Sequence, residues 1–224
     1  MVNGQEMSEK LPNSLQILRN SVYTFASMLL FFAGVISYGT ILNLREVSLQ
    51  EAMQMKGISK LENISIIVDR KNHALELYSD EILVKTYRAV FGKSRAPLKT
   101  SIDDHVTPTG KYQVCSKDDN SVYHKYLQLN YPNERDAAEA LKNGYINRSD
   151  FNKIMKSIVT DGKPCADSKL GSGIGIHGIG EYDIIFKNLP FNFNWTNGSI
   201  AVSNSSIDEL HTVVQIGTNV EIKN

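Results

Sequence analysis

Gly173-Ile-Gly-Ile-His-Gly178 and Asn194-Trp-Thr-Asn-Gly-Ser-Ile-Ala-Val-Ser-Asn204 are the stretches that decide the reading of this chain. The first ends a short apolar run in a histidine set against a glycine. The second places a small nucleophile-type side chain, Ser199, straight after Gly198 and into the run Ile200 to Val202. Glycines inside a β-branched run let another backbone approach closely. A histidine on one strand and a hydroxyl at the start of the next is a layout for acyl transfer, in which an imidazole takes the proton of the attacking group.

Upstream, the period is mostly two. Ile64 to Asp69, His73 to Tyr78 and Leu83 to Phe91 read as strands, with Ser79-Asp80 as a hairpin turn between the last two. Thr107-Pro-Thr-Gly110 reads as a turn and Lys111 to Cys115 as a further strand. The period then changes. Asn133 to Gly144 and Ser149 to Val159 carry apolar residues at helical spacing, the second with Ser149 as its cap. They read as a helical insertion on a β scaffold. Phe186 to Trp195 is an aromatic loop, Ser205 to Val214 a short helix, and Val220 to Ile222 a closing strand. The expected fold is mainly β with a few helices, plus one N-terminal transmembrane helix.

That helix is expected because Asn20 to Leu44 contains no charged residue. About 20 apolar residues span a bilayer core as a helix. Tyr23 and Tyr38 lie near its ends, where aromatic rings favour the interface. A cleaved signal peptide is disfavoured by the long polar lead, the long apolar run and the lack of a clear A-x-A site. The expected organisation is a cytoplasmic tail at 1–19, an anchor at 20–44, a linker at 45–61 and a folded domain at 62–224. Lys and Arg total 24 against 24 Asp and Glu, so no basic footprint for nucleic acid is expected. Cys115 and Cys165 are the two cysteines; pairing and two separate thiols both stay open. The five histidines show no paired ligand spacing, so no metal or other cofactor is expected.

Several motifs, in order, resemble the L,D-transpeptidase catalytic domain, a family that cuts and remakes peptide bonds in bacterial peptidoglycan. Asp104 to Gly110, D-x-x-T-P-T-G, is similar to its substrate-side loop. Ser121-Val-Tyr-His-Lys-Tyr126 and Tyr131-Pro-Asn133 resemble a subgroup from Gram-negative bacteria. Trp195-Thr-x-Gly-Ser-Ile-Ala is similar to a variant reading Asp-Trp-Thr-x-Gly-Cys-Ile-Ala. This chain departs from it at Asn194 and at Ser199, where the family has its nucleophilic cysteine. The resemblance covers about residues 62 to 222. It implies His177 as the base, Ser199 as the nucleophile position, and backbone around Gly178 and Gly198 in catalytic support. Thr107, His124, Tyr131, Trp195 and Thr196 would be substrate-side residues. It also implies peptidoglycan stem peptides as partners, the inner membrane through residues 20–44, and a C-terminal domain in the periplasm, with an envelope protein complex as a further partner. Lys10 and Arg19 before the span and Arg45, Lys56 and Lys60 after it are too balanced to set orientation alone.

Sulfur and oxygen differ here in kind. A thiol with a pKa near 8.5 becomes largely thiolate beside an imidazole, whereas a hydroxyl needs a base during attack and a strong oxyanion hole. The expectation is weakened or absent acyl transfer with Ser199 in place. The alternative is a non-catalytic peptidoglycan-binding pseudoenzyme or envelope scaffold.

Overall fold

The computed structural model describes residues 13–43, 46–161 and 168–224. Two compact units form, one built on an N-terminal helix and the other of residues 46–187 and 191–224. The helix, α1 (Asn13–Asn43), has 31 residues, about 46 Å at the usual helical rise. Its apolar side chains are exposed, with Leu30 at 75% and Phe31 at 67%. By length and composition it can cross a membrane or act as a signal sequence.

The second unit opens with α2 (Leu49–Met55), capped by a reciprocal Ser48–Glu51 box. Leu49 and Ala52 on it are buried, and the Leu49 N–H donates to Glu209 at 2.9 Å. Strands β1 (Ser65–Asp69), β2 (Ala74–Ser79), β3 (Ile82–Arg88), β4 (Gly110–Ser121), β5 (His124–Leu129), β6 (Gly175–His177), β7 (Ile200–Ala201) and β8 (Asn219–Lys223) follow. They make one mixed eight-stranded sheet in the order β3-β2-β1-β8-β4-β5-β6-β7. The β1–β8 and β6–β7 pairs are parallel and the rest antiparallel. Burial on β1 alternates, with Ile66 and Val68 in the core, as a two-residue period requires. Helices α3 (Glu134–Lys142) and α4 (Arg148–Asp161) lie between β5 and β6. They are followed by the short α5 (Asp183–Phe186) and by α6 (Asn204–Val213) between β7 and β8.

Three local expectations shift. The hairpin turn is Asp80-Glu81, both at positive φ (47° and 67°), as tight hairpin turns need. Ser79 is instead buried, exchanging hydrogen bonds with Glu62. The α4 cap is Asn147, whose Oδ1 accepts from the Asp150 N–H at 2.9 Å, and Ser149 sits inside the first turn. The run Leu83 to Phe91 is not one strand: β3 ends at Arg88, and Val90 changes partner to pair with Ala201. Cys165 lies outside the described residues. The α3 cap matches the expectation: Asn133 Oδ1 accepts from the Asp136 N–H at 3.0 Å, and Asp136 accepts from the Asn133 N–H at 2.9 Å. Asn133→Ala is therefore expected to lower unfolding stability by about 1 kcal/mol. A denaturation midpoint unchanged from wild type would show that the cap does not matter.

Candidate active site

Registers put the two key residues on one surface. Ile176 pairs with Ile200 and His177 with Ala201. Extending that register, Ser199 lies opposite Gly175, two places from His177. Residues two apart on a strand share a face, so both side chains leave the same side of the sheet, offset by roughly 7 Å along it. On the other flank of β6, Tyr126 pairs with His177.

His177 is 3% exposed and enclosed by aromatic rings. Tyr123 lies at 4.5 Å between centroids, Tyr126 stacks at 5.9 Å, and Trp195 meets it edge-on at 5.8 Å. Burial lowers the imidazole pKa to about 4, against the Gly178 carbonyl that favours the proton, so the ring is neutral at neutral pH. Nδ1 lies 2.6 Å from the Gly178 oxygen. A neutral ring donates there from Nδ1–H, which leaves Nε2 with its lone pair. Gly178 is held in place by Asn204, whose Oδ1 accepts from the Ile179 and Gly180 N–H groups at 2.9 Å each. A Cβ on Gly178 would lie 2.6 Å from that Oδ1 and 2.6 Å from the Tyr123 oxygen, so only glycine fits.

Ser199 has its hydrogen bonds elsewhere. Its Oγ accepts from the Gly175 N–H at 3.3 Å and donates to the Gly173 oxygen at 3.3 Å. The Tyr126 hydroxyl also donates to the Gly173 oxygen; burial pushes this phenol up to about 12. Gly175 makes this possible, because a Cβ there would lie 2.6 Å from the Tyr126 ring and 2.5 Å from the Leu127 oxygen. No hydrogen bond joins Ser199 to His177 among the described residues.

The loop before Ser199 is fixed from behind. Thr196 Oγ1 donates to the Ser199 oxygen at 2.6 Å and accepts from the Gly198 N–H at 3.2 Å. That N–H is thus already engaged and is not free for an oxyanion. Gly198 has φ 126° and a Cβ on it would meet the Val106 oxygen at 2.8 Å, a conformation reserved for glycine. Asn194 Oδ1 accepts from the Phe91 N–H at 3.0 Å, and the Thr196 N–H donates to the Phe91 oxygen at 3.2 Å. Thr107 is buried and accepts from the Gly92 N–H at 2.9 Å, bracing the same segment.

A cleft of about 210 Å³ opens beside Ser199, lined also by His105, Asn197, Gly173 and Lys99. Lys99 is buried and meets Asp104 at 2.7 Å. Burial works against the Asp104 charge, but Lys99 and the Ser101, Val106 and Thr100 N–H groups outweigh it and hold the carboxyl low.

The structure therefore brings together His177, Gly178, Trp195, Thr196, Gly198 and Ser199. Thr107 supports them from behind. His124 is turned away: it is held at φ 79° and its Nε2 meets Asp208 of α6 at 3.0 Å. Tyr131 is buried against Tyr112 at 5.9 Å between centroids and belongs to the core. Sequence reasoning passed over Tyr123, Tyr126 and His105. The first two lie around His124 in the same motif, and the β5–β6 register, which sequence does not report, puts Tyr126 opposite His177. His105, at φ 53°, carries a buried Nδ1 with no partner among the described residues, and nothing in sequence separates it from a turn residue.

The description of the YkuD family, the L,D-transpeptidase catalytic domain, matches residues 63–222. The chain belongs to this family. No curated protein sequence matches it. Among solved structures, Bd1075 of Bdellovibrio bacteriovorus is 21% identical, with 73% of this chain and 48% of that one covered and a TM-score of 0.45. An L,D-transpeptidase from Xylanimonas cellulosilytica is 15% identical, over 74% and 62% of the two chains, at TM-score 0.40. L,D-transpeptidase 1 of Mycobacterium tuberculosis is 13% identical, over 73% and 62%, at TM-score 0.40. The chain thus spans between about half and under two thirds of these structures' length. The eight-stranded mixed sheet is the fold of the L,D-transpeptidase domain, here with the five α-helices α2 to α6 in the same unit among the described residues.

Proposed function

We propose that this L,D-transpeptidase-family chain binds peptidoglycan stem peptides in the Ser199 cleft and performs their acyl transfer weakly or not at all. The reaction at issue is attack on the carbonyl after the L-centre of meso-diaminopimelate. His177 Nε2 would take the Ser199 hydroxyl proton as Oγ attacks and return it to the departing amine, and the acyl group would then pass from residue 199 to an amine or to water. The observation that carries the proposal is the register of β6 and β7, which puts His177 and Ser199 on one face of the sheet, with a cleft open beside Ser199. Two features support impaired chemistry. The Ser199 hydroxyl points its hydrogen to the Gly173 oxygen and not to imidazole. A ring with pKa about 4 is also a weak base for a hydroxyl. The same features favour the second reading, a binding protein without turnover. Mass spectrometry of stem tetrapeptides incubated with the protein, alongside a binding titration, tests both. Binding without turnover supports the second reading, and the absence of binding removes both.

The variant Trp195 to Ala201 motif supports placement in the Gram-negative subgroup, and the uncharged run at 20–44 supports an uncleaved inner-membrane anchor there, with residues 1–19 inside and the domain in the periplasm. The expected result is that the full-length chain sediments with membranes and leaves them only in detergent. Its recovery in the soluble fraction after lysis, or a mature N-terminus beyond Leu44, would refute the anchor.

A further inference from the structure

Next to the Phe91–Gly92 segment that braces the nucleophile loop lies a second concavity, of about 500 Å³. Arg70 and Lys71 reach it from the end of β1, His73 from the turn before β2, and Ser94, Arg95 and Asn194 from the opposite side. No Asp or Glu side chain lines it, and the one carboxylate at its wall is the terminal group of Asn224, against the three cations Arg70, Lys71 and Arg95. Basic and acidic residues balance over the whole chain, 24 against 24, so this is a local concentration of positive charge.

The cations are not neutralised from within. Arg70, Lys71 and Arg95 have no ion-pair partner among the described residues. Asp69 feels the Lys71 charge but is bound by Asn72, which donates to its two oxygens at 2.8 and 2.7 Å. Arg70 is anchored at one end: Nη2 donates to the Ala96 oxygen at 3.2 Å. Its Nη1 is buried with no hydrogen-bond partner. A buried donor without an acceptor is costly, and native structures rarely keep one without a reason.

The remaining lining also donates. Ser94 Oγ accepts from the Ala96 N–H at 3.3 Å and keeps its own hydrogen for the pocket. Asn194 uses its oxygen on Phe91 at 3.0 Å and leaves its NH₂. His73 packs on Phe91 at 5.5 Å; burial first, then the charges of Arg95 and Arg88, hold its pKa below the usual value. Three cationic side chains, with the Ser94 hydroxyl and the Asn194 amide as further donors, outnumber the single terminal carboxylate of Asn224 at the pocket.

We propose that this pocket binds an anionic group, phosphate or clustered carboxylates, held by the Arg95 guanidinium fork and by the charge of Arg70. Planar guanidinium matches both groups with paired hydrogen bonds, which lysine cannot do. A space of about 500 Å³ is larger than one inorganic ion needs, so the natural occupant is an anionic group borne on a larger molecule. Asn194 and Gly92 line the pocket and also hold the loop that carries Ser199, so the occupant sits against the back of the active-site loop. The assignment does not depend on whether residue 199 performs chemistry.

The test is calorimetric titration of the full-length chain in detergent, at low fixed ionic strength, with pyrophosphate and separately with citrate. Wild type is expected to bind at least one of them saturably. Arg95→Gln, at an exposed position that leaves the fold intact, is expected to weaken binding about tenfold. Arg70→Gln with Arg95→Gln should remove it, and the surface control Lys56→Gln with Lys60→Gln should change nothing. Preference for pyrophosphate assigns a phosphate-bearing occupant and preference for citrate a carboxylate-bearing one; either supports the site. The proposal falls if folded wild type binds neither, if a folded Arg95→Gln binds as wild type does, or if the control loses as much as the pocket variants.

Discussion

Ser199→Cys is expected to raise turnover of tetrapeptide stems above the serine protein by at least about 10²-fold. His177→Ala in the cysteine background is expected to remove that gain, a positioned base contributing on the order of 10² to 10⁴. The scaffold for this is present. Nε2 of His177 is the free ring nitrogen, because Nδ1 is tied to Gly178 at 2.6 Å. The loop carrying residue 199 is pinned by Thr196 and by the bridge to Phe91 and Gly92. Asn194 stands where the resembled motif has an aspartate, yet it still accepts from the Phe91 N–H at 3.0 Å, so loop anchoring survives the change. What serine lacks is an ionisable group. A thiolate next to the ring would favour imidazolium and offset the burial that now holds the ring neutral. It would also exchange the Gly173 hydrogen bond, which suits a hydroxyl, for a charge facing His177. Stem-peptide turnover by the two variants, measured against the serine protein with binding recorded in parallel, decides it. A cysteine variant that binds stems and turns none over would show that the cleft has diverged beyond its nucleophile. Gly198 gives a physical cause for that outcome, since its N–H is already engaged by Thr196.

The β6 and β7 segments were legible in sequence because their function is written in residue type: glycine where another group comes close, histidine at a strand end, a small polar residue after glycine. The strands with period-two alternation, Ile66 to Val68 and Leu75 to Leu77, and the Asn133-capped helix were legible for the same kind of reason. Three things were not. The Leu83 to Phe91 run looks continuous, but at Val90 the backbone leaves β2 and pairs with Ala201, and alternation does not report which strand is the partner. His124 attracts attention as a histidine, yet its neighbours Tyr123 and Tyr126 are the groups that reach His177, because the hairpin holds His124 at positive φ and turns it towards Asp208. Tyr131 belongs to a quoted motif, but its ring fills the core against Tyr112. A motif marks the neighbourhood of a site, whereas direction and burial choose the residue within it.

Acid stability offers a second large effect, because two buried groups act in one pH window with opposite signs. His177 falls from 6.5 to about 4 through burial. Between those values the unfolded chain binds a proton that the folded chain does not. The contribution is therefore complete above pH 6.5 and falls by about 3 kcal/mol as pH drops to 4. Asp136 moves the other way, from 3.8 to about 6, because burial outweighs the Asn133 N–H and the Tyr112 hydroxyl that favour its charge. Here the folded chain holds the extra proton, so stability rises by about 3 kcal/mol as pH drops from 6 to 3.8. His73 and His211, both lowered first by burial, add to the histidine side. Wild type is thus expected to lose little across this window, with a modest net loss towards acid. His177→Asn keeps a side-chain donor for the Gly178 oxygen and cannot titrate; it should gain stability on going from pH 6.5 to 4, by about 3 kcal/mol relative to wild type. Asp136→Asn keeps an acceptor for the Asn133 N–H; it should lose stability over the same range by a similar amount. Trp195, the only tryptophan, stands 5.8 Å from His177 and reports unfolding of this unit by fluorescence. Urea midpoints for the three proteins at pH 4, 5, 6 and 7 separate the two contributions. Curves that stay parallel across the three would mean that neither group titrates differently in the folded and unfolded chain, and the neutral imidazole assigned to the site would go with them.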